Sequence, residues 1–476
     1  MTEHKRRAVV YAYALTLTAR LGDVALVAML ISALRVEDMA TFALASAVSA
    51  IFSIGIVFGA DQVIVRGFSE GSLSFRTALR TVGGVWGYSS AASCALLGLF
   101  FAFWGNLQSH ALAIVVACAS QIVSLVARFV QSMLRGRNSQ TAANALVLAE
   151  SAIRLAVISA LWLVMRQPTS EAVLEGFLLC QVIVAGIAVI VAKRAGVASW
   201  LPGGLSESRE MPVGGMIRAC GYFFGIALVS VIQNRVDWLM ISEFSTPMQL
   251  ANYSIANRAY EIFLMLIGIA ATTAYPWLCQ TSVSQRSDSL MLLKQIEVCM
   301  GVTLALACGP LVSELISVLW PQKYSEAEQY IVWLLPVGAV SAVVIVLYYE
   351  VISKSLEQKA LVIGFVVSII HVVADWFFIR NFGAFGAVCG MALLSIMCLG
   401  AYAALVHRNQ LWERRRLERV MAYVMLMVAV WFISTRLNMS GWVHFIAITV
   451  IGVLLGTLLL LDRGERAVLR ASTALR

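Results

Sequence analysis

About fourteen apolar segments, each long enough to cross a bilayer, run almost end to end along this chain of 476 residues. Hydrocarbon offers no water to backbone N–H and C=O groups, so each segment must satisfy them internally, which a helix does alone. About 20 mostly apolar residues suffice for one crossing. Spans are predicted at 8 to 33, 40 to 60, 82 to 104, 110 to 133, 142 to 165 and 171 to 192, then at 214 to 242, 249 to 278, 290 to 319, 328 to 352, 358 to 381 and 384 to 406. A last pair, 418 to 435 and 441 to 461, follows the most basic joint, 407 to 419. With 60% hydrophobic and 13% charged residues, little is left for a soluble domain.

The expected fold is therefore all-α: a polytopic membrane protein of about 14 transmembrane helices, two six-helix lobes related by a pseudo-two-fold repeat plus a C-terminal helix pair. The lobes are placed at 1–195 and 214–407, joined by a cytoplasmic segment at 196–213, with 408–476 holding the basic joint, the final pair and a tail.

A net charge of +9 invites a nucleic-acid reading, which the placement of the charges removes. Basic residues alternate from joint to joint: clusters such as Arg66, Arg76 and Arg80, then Arg128, Arg135 and Arg137, then Arg414, Arg415 and Arg416 fall on the side of Lys5, Arg6 and Arg7. The opposite side holds only Arg35, Arg166, Lys323, Arg380 and Arg436. This positive-inside bias puts both termini in the cytoplasm of a multi-pass inner-membrane protein. The stretch around Arg414 then reads as a contact for lipid headgroups. Arg20 and Asp23 interrupt the first span, which is too long for a signal peptide and is expected to stay as a helix. The nine cysteines lie in or at the ends of apolar spans without a C-x-x-C pair, so no disulfide, metal or other cofactor is expected.

An internal repeat is visible. After Arg20 and Asp23 the chain reads M-A-T-F-A-L-A at Met39 to Ala45; after Arg235 and Asp237 it reads L-A-N-Y-S-I-A at Leu250 to Ala256. Both open the second helix of a six-helix half, as duplicated transporters arrange their lobes. Chance similarity between small-residue membrane helices is the competing explanation.

A-R-L-G-D at Ala19 to Asp23, N-R-V-D-W-L-M-I-S at Asn234 to Ser242, N-Y-S-I-A-N-R-A-Y-E at Asn252 to Glu261 and N-F-G-A-F-G-A-V at Asn381 to Val388 carry a further likeness. Over nearly its whole length the chain resembles the polysaccharide and O-antigen flippases of the multidrug, oligosaccharidyl-lipid and polysaccharide exporter superfamily. That resemblance implies passage of an undecaprenyl-diphosphate-linked oligosaccharide from the cytoplasmic to the periplasmic leaflet by alternating access, without enzymatic chemistry. It implies partners among the membrane lipids, H+ or Na+, and other polysaccharide-assembly proteins. Fourteen helices resemble the lipid II flippases, which implies a groove for the prenyl tail at the final pair. A simple stabilising role for that pair stays open.

Such a substrate needs hydrogen-bonding cations inside the bilayer, because its headgroup loses several kcal/mol per stripped group in hydrocarbon. Four arginines in the spans are the candidate substrate-binding groups: Arg20, Arg154, Arg235 and Arg258. The guanidinium fork suits a diphosphate and stays charged. Asp23 at i+3 from Arg20, Glu150 at i−4 from Arg154 and Glu261 at i+3 from Arg258 allow the opposite reading, self-neutralised structural pairs. Arg235 differs, since Asp237 at i+2 points to another face.

Acids in the spans outnumber these arginines six to four (Asp23, Glu150, Asp237, Glu261, Glu314 and Asp375), so a strongly cationic lumen is not expected. Asp23, Glu150, Asp237 and Asp375 are the candidate ion-coupling groups. His371 lies four residues before Asp375 on the same face, a spacing suited to sharing a proton, although Arg380 is placed to neutralise that carboxylate instead. Pro276, Gly309-Pro310 and Pro336 mark bendable or kinked helices. His110 and His444 read as ordinary. The main alternative is an ion-coupled multidrug or cation antiporter of the same superfamily. An enzyme is not expected, since no nucleophile, metal or phosphate-loop constellation is present.

Overall fold

The computed structural model describes residues 3–69, 75–103, 105–137, 139–196, 213–280, 288–320, 323–354, 356–437 and 440–460. Fifteen α-helices account for almost all of them: α1 (Glu3–Ala33), α2 (Val36–Val57), α3 (Ala60–Ser69), α4 (Phe75–Phe103), α5 (Ala111–Gly136), α6 (Gln140–Met165), α7 (Ser170–Arg194), α8 (Val213–Phe244), α9 (Pro247–Gln280), α10 (Asp288–Leu319), α11 (Ser325–Ser353), α12 (Glu357–Phe382), α13 (Ala384–Arg408), α14 (Arg414–Arg436) and α15 (Gly441–Leu459). Every helix except the short α3 corresponds to one of the expected spans, and among the described residues there is no strand. Among the described residues, eleven helical stretches are long and apolar enough to cross a membrane. The 22 residues of α2 reach about 33 Å at 1.5 Å per residue, enough for a hydrocarbon layer about 30 Å thick. Side chains such as Leu163 (76% exposed) and Val164 (82%) are what a surface solvated by acyl chains requires.

The chain divides into two compact units, Met1–Glu243 and Phe244–Arg476. Most of the joint expected at 196–213 lies outside the described residues. In unit 1, α5 is central, packing against α2, α3, α6 and α7, while α1 lies along α6. In unit 2, α11 is central, packing against α9, α10, α12 and α13. The neighbour pairs α2–α5, α5–α7 and α6–α7 of the first unit reappear as α9–α11, α11–α13 and α12–α13 in the second. The final helices α14 and α15 pack on each other and on α10. There the Tyr423 hydroxyl lies 2.8 Å from Thr303 Oγ1 and 3.3 Å from the Gly452 carbonyl, tying all three helices together.

The internal repeat has a structural counterpart. Met39, Ala40 and Phe42 open α2 as fully packed side chains, and Leu250, Ala251 and Tyr253 do the same in α9, each at 4% exposure or less. Just before these residues an acceptor caps the sixth span of the same half. Asp38 Oδ1 accepts the Ser170 N–H at the start of α7 at 3.0 Å, and Gln249 Oε1 accepts the Ala384 N–H at the start of α13 at 3.4 Å. Both bonds satisfy orphan N–H groups of a helix N-terminus, so the same device recurs in each half.

The break between α2 and α3 was not foreseen. Phe58 (φ 48°) and Gly59 (φ 69°) follow each other in left-handed conformation, ending α2. A Cβ on Gly59 would stand 2.6 Å from the Cys220 carbonyl oxygen of α8, so this position needs glycine both for its backbone angle and for its space.

Candidate functional site

Unit 1 encloses a polar cavity of about 330 Å³ among helices whose outer surfaces are apolar. It is built from five helices. Arg20 and Asp23 come from α1, Asp61 from α3, Arg128, Gln131 and Arg135 from α5, Glu150, Ser151 and Arg154 from α6, and Gln181 from α7.

Two ion pairs lie within it. Arg20 Nη1 donates to Asp23 Oδ2 at 3.1 Å, and Arg154 Nη2 donates to Glu150. Neither pair is isolated from its neighbours. Ser151 Oγ reaches the Ala19 carbonyl at 2.9 Å and Asp23 Oδ1 at 3.1 Å, locking α6 to α1. Gln181 Nε2 donates to Glu150 Oε1 at 2.8 Å, tying α7 to α6, and the Arg154 guanidinium lies 5.7 Å from the centre of the Phe177 ring. The local spacings thus made the pairs that sequence predicts, and tertiary packing buttresses each from another helix.

Some bonding capacity of the lining residues is unused. The Nε–H groups of Arg20 and Arg154 and the Oε1 of Gln181, which is 4% exposed, lack partners. Arg128 and Arg135 belong to neither ion pair. Asp61 sits on α3, outside the membrane-crossing helices; burial pushes its carboxyl up, and the Arg128 guanidinium pulls it back part of the way. Four guanidinium groups meet three carboxylates here. At one net positive charge the cavity is not strongly cationic, as expected from the span residues, although Arg128 and Arg135, placed by sequence in a cytoplasmic cluster, line it from α5.

A signal for them exists. Gln121, Ser124, Arg128, Gln131 and Arg135 recur at steps of three and four, one polar stripe along an otherwise apolar helix. Gln181, a lone amide in the apolar span of α7, is the second signal. Asp61 carried none, since only the left-handed turn at Phe58 and Gly59 turns it inward.

Of the eight candidate residues, Arg20, Asp23, Glu150 and Arg154 are brought together; the other four lie elsewhere. On α8 the Arg235 guanidinium lies 4.7 Å from the centre of the Trp238 ring. Asp237 beside it is 1% exposed and accepts the Trp238 backbone N–H at 2.8 Å. Arg258 is half-buried on α9, where Glu261 accepts from Asn257 at 3.4 Å. Asp375 lies buried on α12 with His371 Nε2 3.3 Å from its Oδ2, while Arg380 stacks over Trp376 at 5.5 Å rather than on that carboxylate. Gly390 of α13 makes room for the pair: a Cβ there would overlap Asp375 Oδ1. His444, read as ordinary, is buried at the start of α15 beside a pocket of its own.

Unit 2 also carries an apolar groove of about 700 Å³ between α11, α13 and α14, lined by residues such as Trp333, Val388, Ile396, Val424, Met425 and Phe432.

No protein-family model matches the chain, and no curated protein sequence does. Solved structures do. Lipid II flippase MurJ in its inward closed conformation is similar over 95% of this chain and 97% of its own, at 12% identity and a TM-score of 0.69. An inward-facing multidrug resistance MATE family transporter of the MOP superfamily is similar over 84% of this chain and 94% of its own, at 13% identity and a TM-score of 0.54. The Vibrio cholerae MATE transporter VcmN in the bent form covers 87% of this chain with all of its own length, at 14% identity and a TM-score of 0.52. At such identities the likeness is one of architecture: this multi-pass membrane chain has the fold of the MurJ flippase and of the MATE transporters.

Proposed function

We propose that this protein is a flippase for a lipid-linked oligosaccharide, carrying an undecaprenyl-diphosphate-bound sugar unit from the cytoplasmic to the periplasmic leaflet of a bacterial inner membrane. The observation that carries the reading is the cavity of unit 1, where four arginines face three carboxylates inside a bundle of apolar helices. A diphosphate crossing hydrocarbon needs charged donors that stay charged, and guanidinium supplies paired N–H groups at fixed geometry. Gln131, Ser151 and Gln181 add neutral groups of the kind that replace water around sugar hydroxyls.

Two further observations support it. Within unit 2, the apolar groove at α11, α13 and α14 is of a kind that a prenyl chain can cover. The MurJ structure covers 95% of this chain and the two MATE transporter structures 84% and 87%, a difference about the size of the α14–α15 pair. Alternating access is the mode of passage, both termini are cytoplasmic, and the chain acts without making or breaking bonds in its cargo.

The MATE transporters favour a second reading, an ion-coupled antiporter of drugs or cations, for which the buried His371–Asp375 pair would serve as the coupling group. One experiment separates the two. The full chain is reconstituted in vesicles with a fluorescent polyprenyl-diphosphate disaccharide, and transfer between leaflets is followed by quenching from outside. The flippase reading expects transfer well above protein-free vesicles; no transfer, together with proton-driven uptake of an organic cation, would select the antiporter.

A further inference from the structure

The four arginines of the unit 1 cavity are not alike. Arg20 and Arg154 each donate to a carboxylate one helix turn away, whereas Arg128 and Arg135 of α5 make no ion pair or hydrogen bond among the described residues. Asp61 of α3 is the carboxylate placed opposite them. It feels the charge of both, and Arg135 feels in addition the like charge of Arg20 from α1. Yet Asp61 is in ion-pair contact with neither. Three guanidinium groups and one carboxylate therefore stand around shared space without closing on one another.

The way α3 is held fixes where its aspartate stands. Ala60, Val63, Ile64 and Phe68 are at most 3% exposed and share one core with Val130, Met133 and Leu134 of α5. Gly136 lets the two helices meet so closely that a Cβ there would stand 2.6 Å from the Phe68 Cβ. At its other end α3 follows the left-handed pair Phe58 and Gly59, and the Phe58 ring stacks on Phe224 of α8 with centres 4.7 Å apart. With its backbone fixed at both ends, Asp61 is a stationary charge.

A stationary carboxylate in this place offsets part of the positive charge on α5 and repels any anion that enters. Among apolar helices that repulsion is screened less than it would be in water. A site that loads and unloads a charged ligand has to bind it strongly enough to fill and weakly enough to empty. We infer that Asp61 is a fixed counter-charge that holds down the affinity of the cavity for a diphosphate beside Arg128 and Arg135, so that the cargo can leave. The inference rests on the flippase reading for the identity of the anion.

The test is calorimetric titration of the purified full-length protein in detergent with pyrophosphate, in mildly alkaline buffer where Asp61 carries its charge. Asp61→Asn is expected to bind pyrophosphate at least roughly tenfold more tightly than wild type. Asp61→Glu, which keeps the charge, is expected to bind as wild type does. Shape alone would give the opposite ordering, because asparagine is the closer match in size. The gain in Asp61→Asn is expected to shrink as salt is raised. Asp61→Ser, equally neutral, takes its place if that variant does not fold. In vesicles the neutral variant is expected to flip a fluorescent polyprenyl-diphosphate disaccharide more slowly than wild type. The inference is overturned if pyrophosphate does not bind wild type, if the neutral variant binds no more tightly, if Asp61→Glu behaves like Asp61→Asn, or if flipping by the neutral variant is undiminished. No flipping by wild type, with the calorimetric ordering intact, would instead overturn the flippase reading and leave the counter-charge standing.

Discussion

Replacing Arg154 with glutamine distinguishes a guanidinium that holds an anionic cargo from one that merely neutralises Glu150. In the folded protein Arg154 and Glu150 are 30% and 21% exposed, so their pairing contributes on the order of 1 kcal/mol or less to stability. Glu150 retains Gln181 as a partner at 2.8 Å after the change, and the fold is expected to survive. The cavity's charge then falls from one net positive, four arginines against three carboxylates, to zero. A hydrogen bond from a charged group to an anion is worth about 1.5 to 3 kcal/mol, so affinity for pyrophosphate should drop by one to two powers of ten. The double change Glu150→Gln with Arg154→Gln restores the net charge without restoring the fork. If Arg154 serves the cargo, calorimetry gives weak pyrophosphate binding in both proteins and vesicles show slow flipping in both. Recovery of wild-type binding in the double variant would refute the reasoning and leave Arg154 a structural counter-ion.

Two further outcomes follow from the same geometry. Because burial raises the Asp61 carboxyl, it takes up its proton at a higher pH than a solvated aspartate, and each protonation adds one positive charge to the cavity; anion affinity should rise as pH falls through that range. Asp61→Asn should flatten this profile relative to wild type, as measured by pyrophosphate titration across pH, with an unchanged profile counting against the assignment. Gly59→Ala should destabilise unit 1 by about 1 to 3 kcal/mol, since it forces a side chain into a left-handed angle and against the Cys220 carbonyl. A lower melting midpoint in detergent reads this out, and an unaltered midpoint would mean that the α2–α3 turn is less constrained than its contacts indicate.

Sequence alone determined the helices and their local charge pairs. An apolar run of sufficient length has one way to satisfy its backbone in lipid, so the fourteen long helices were legible, as was the sequence repeat that opens α2 and α9, though not the helix caps that accompany it. Spacings of three and four place two groups on one face whatever the surroundings, so Arg20 with Asp23, Glu150 with Arg154 and His371 with Asp375 were legible too. What only tertiary structure decided is which faces meet. The polar stripe of α5 marks the face that avoids lipid but not what that face meets, so the pattern could not say that Arg128 and Arg135 gather with Asp61 and the pairs of α1 and α6. Nor could it say that α15 buries His444 beside Glu314 and Glu328, residues more than a hundred positions away. Helix formation is settled within a segment by its own backbone, whereas a polar cavity exists only once several segments have packed and chosen their azimuths together.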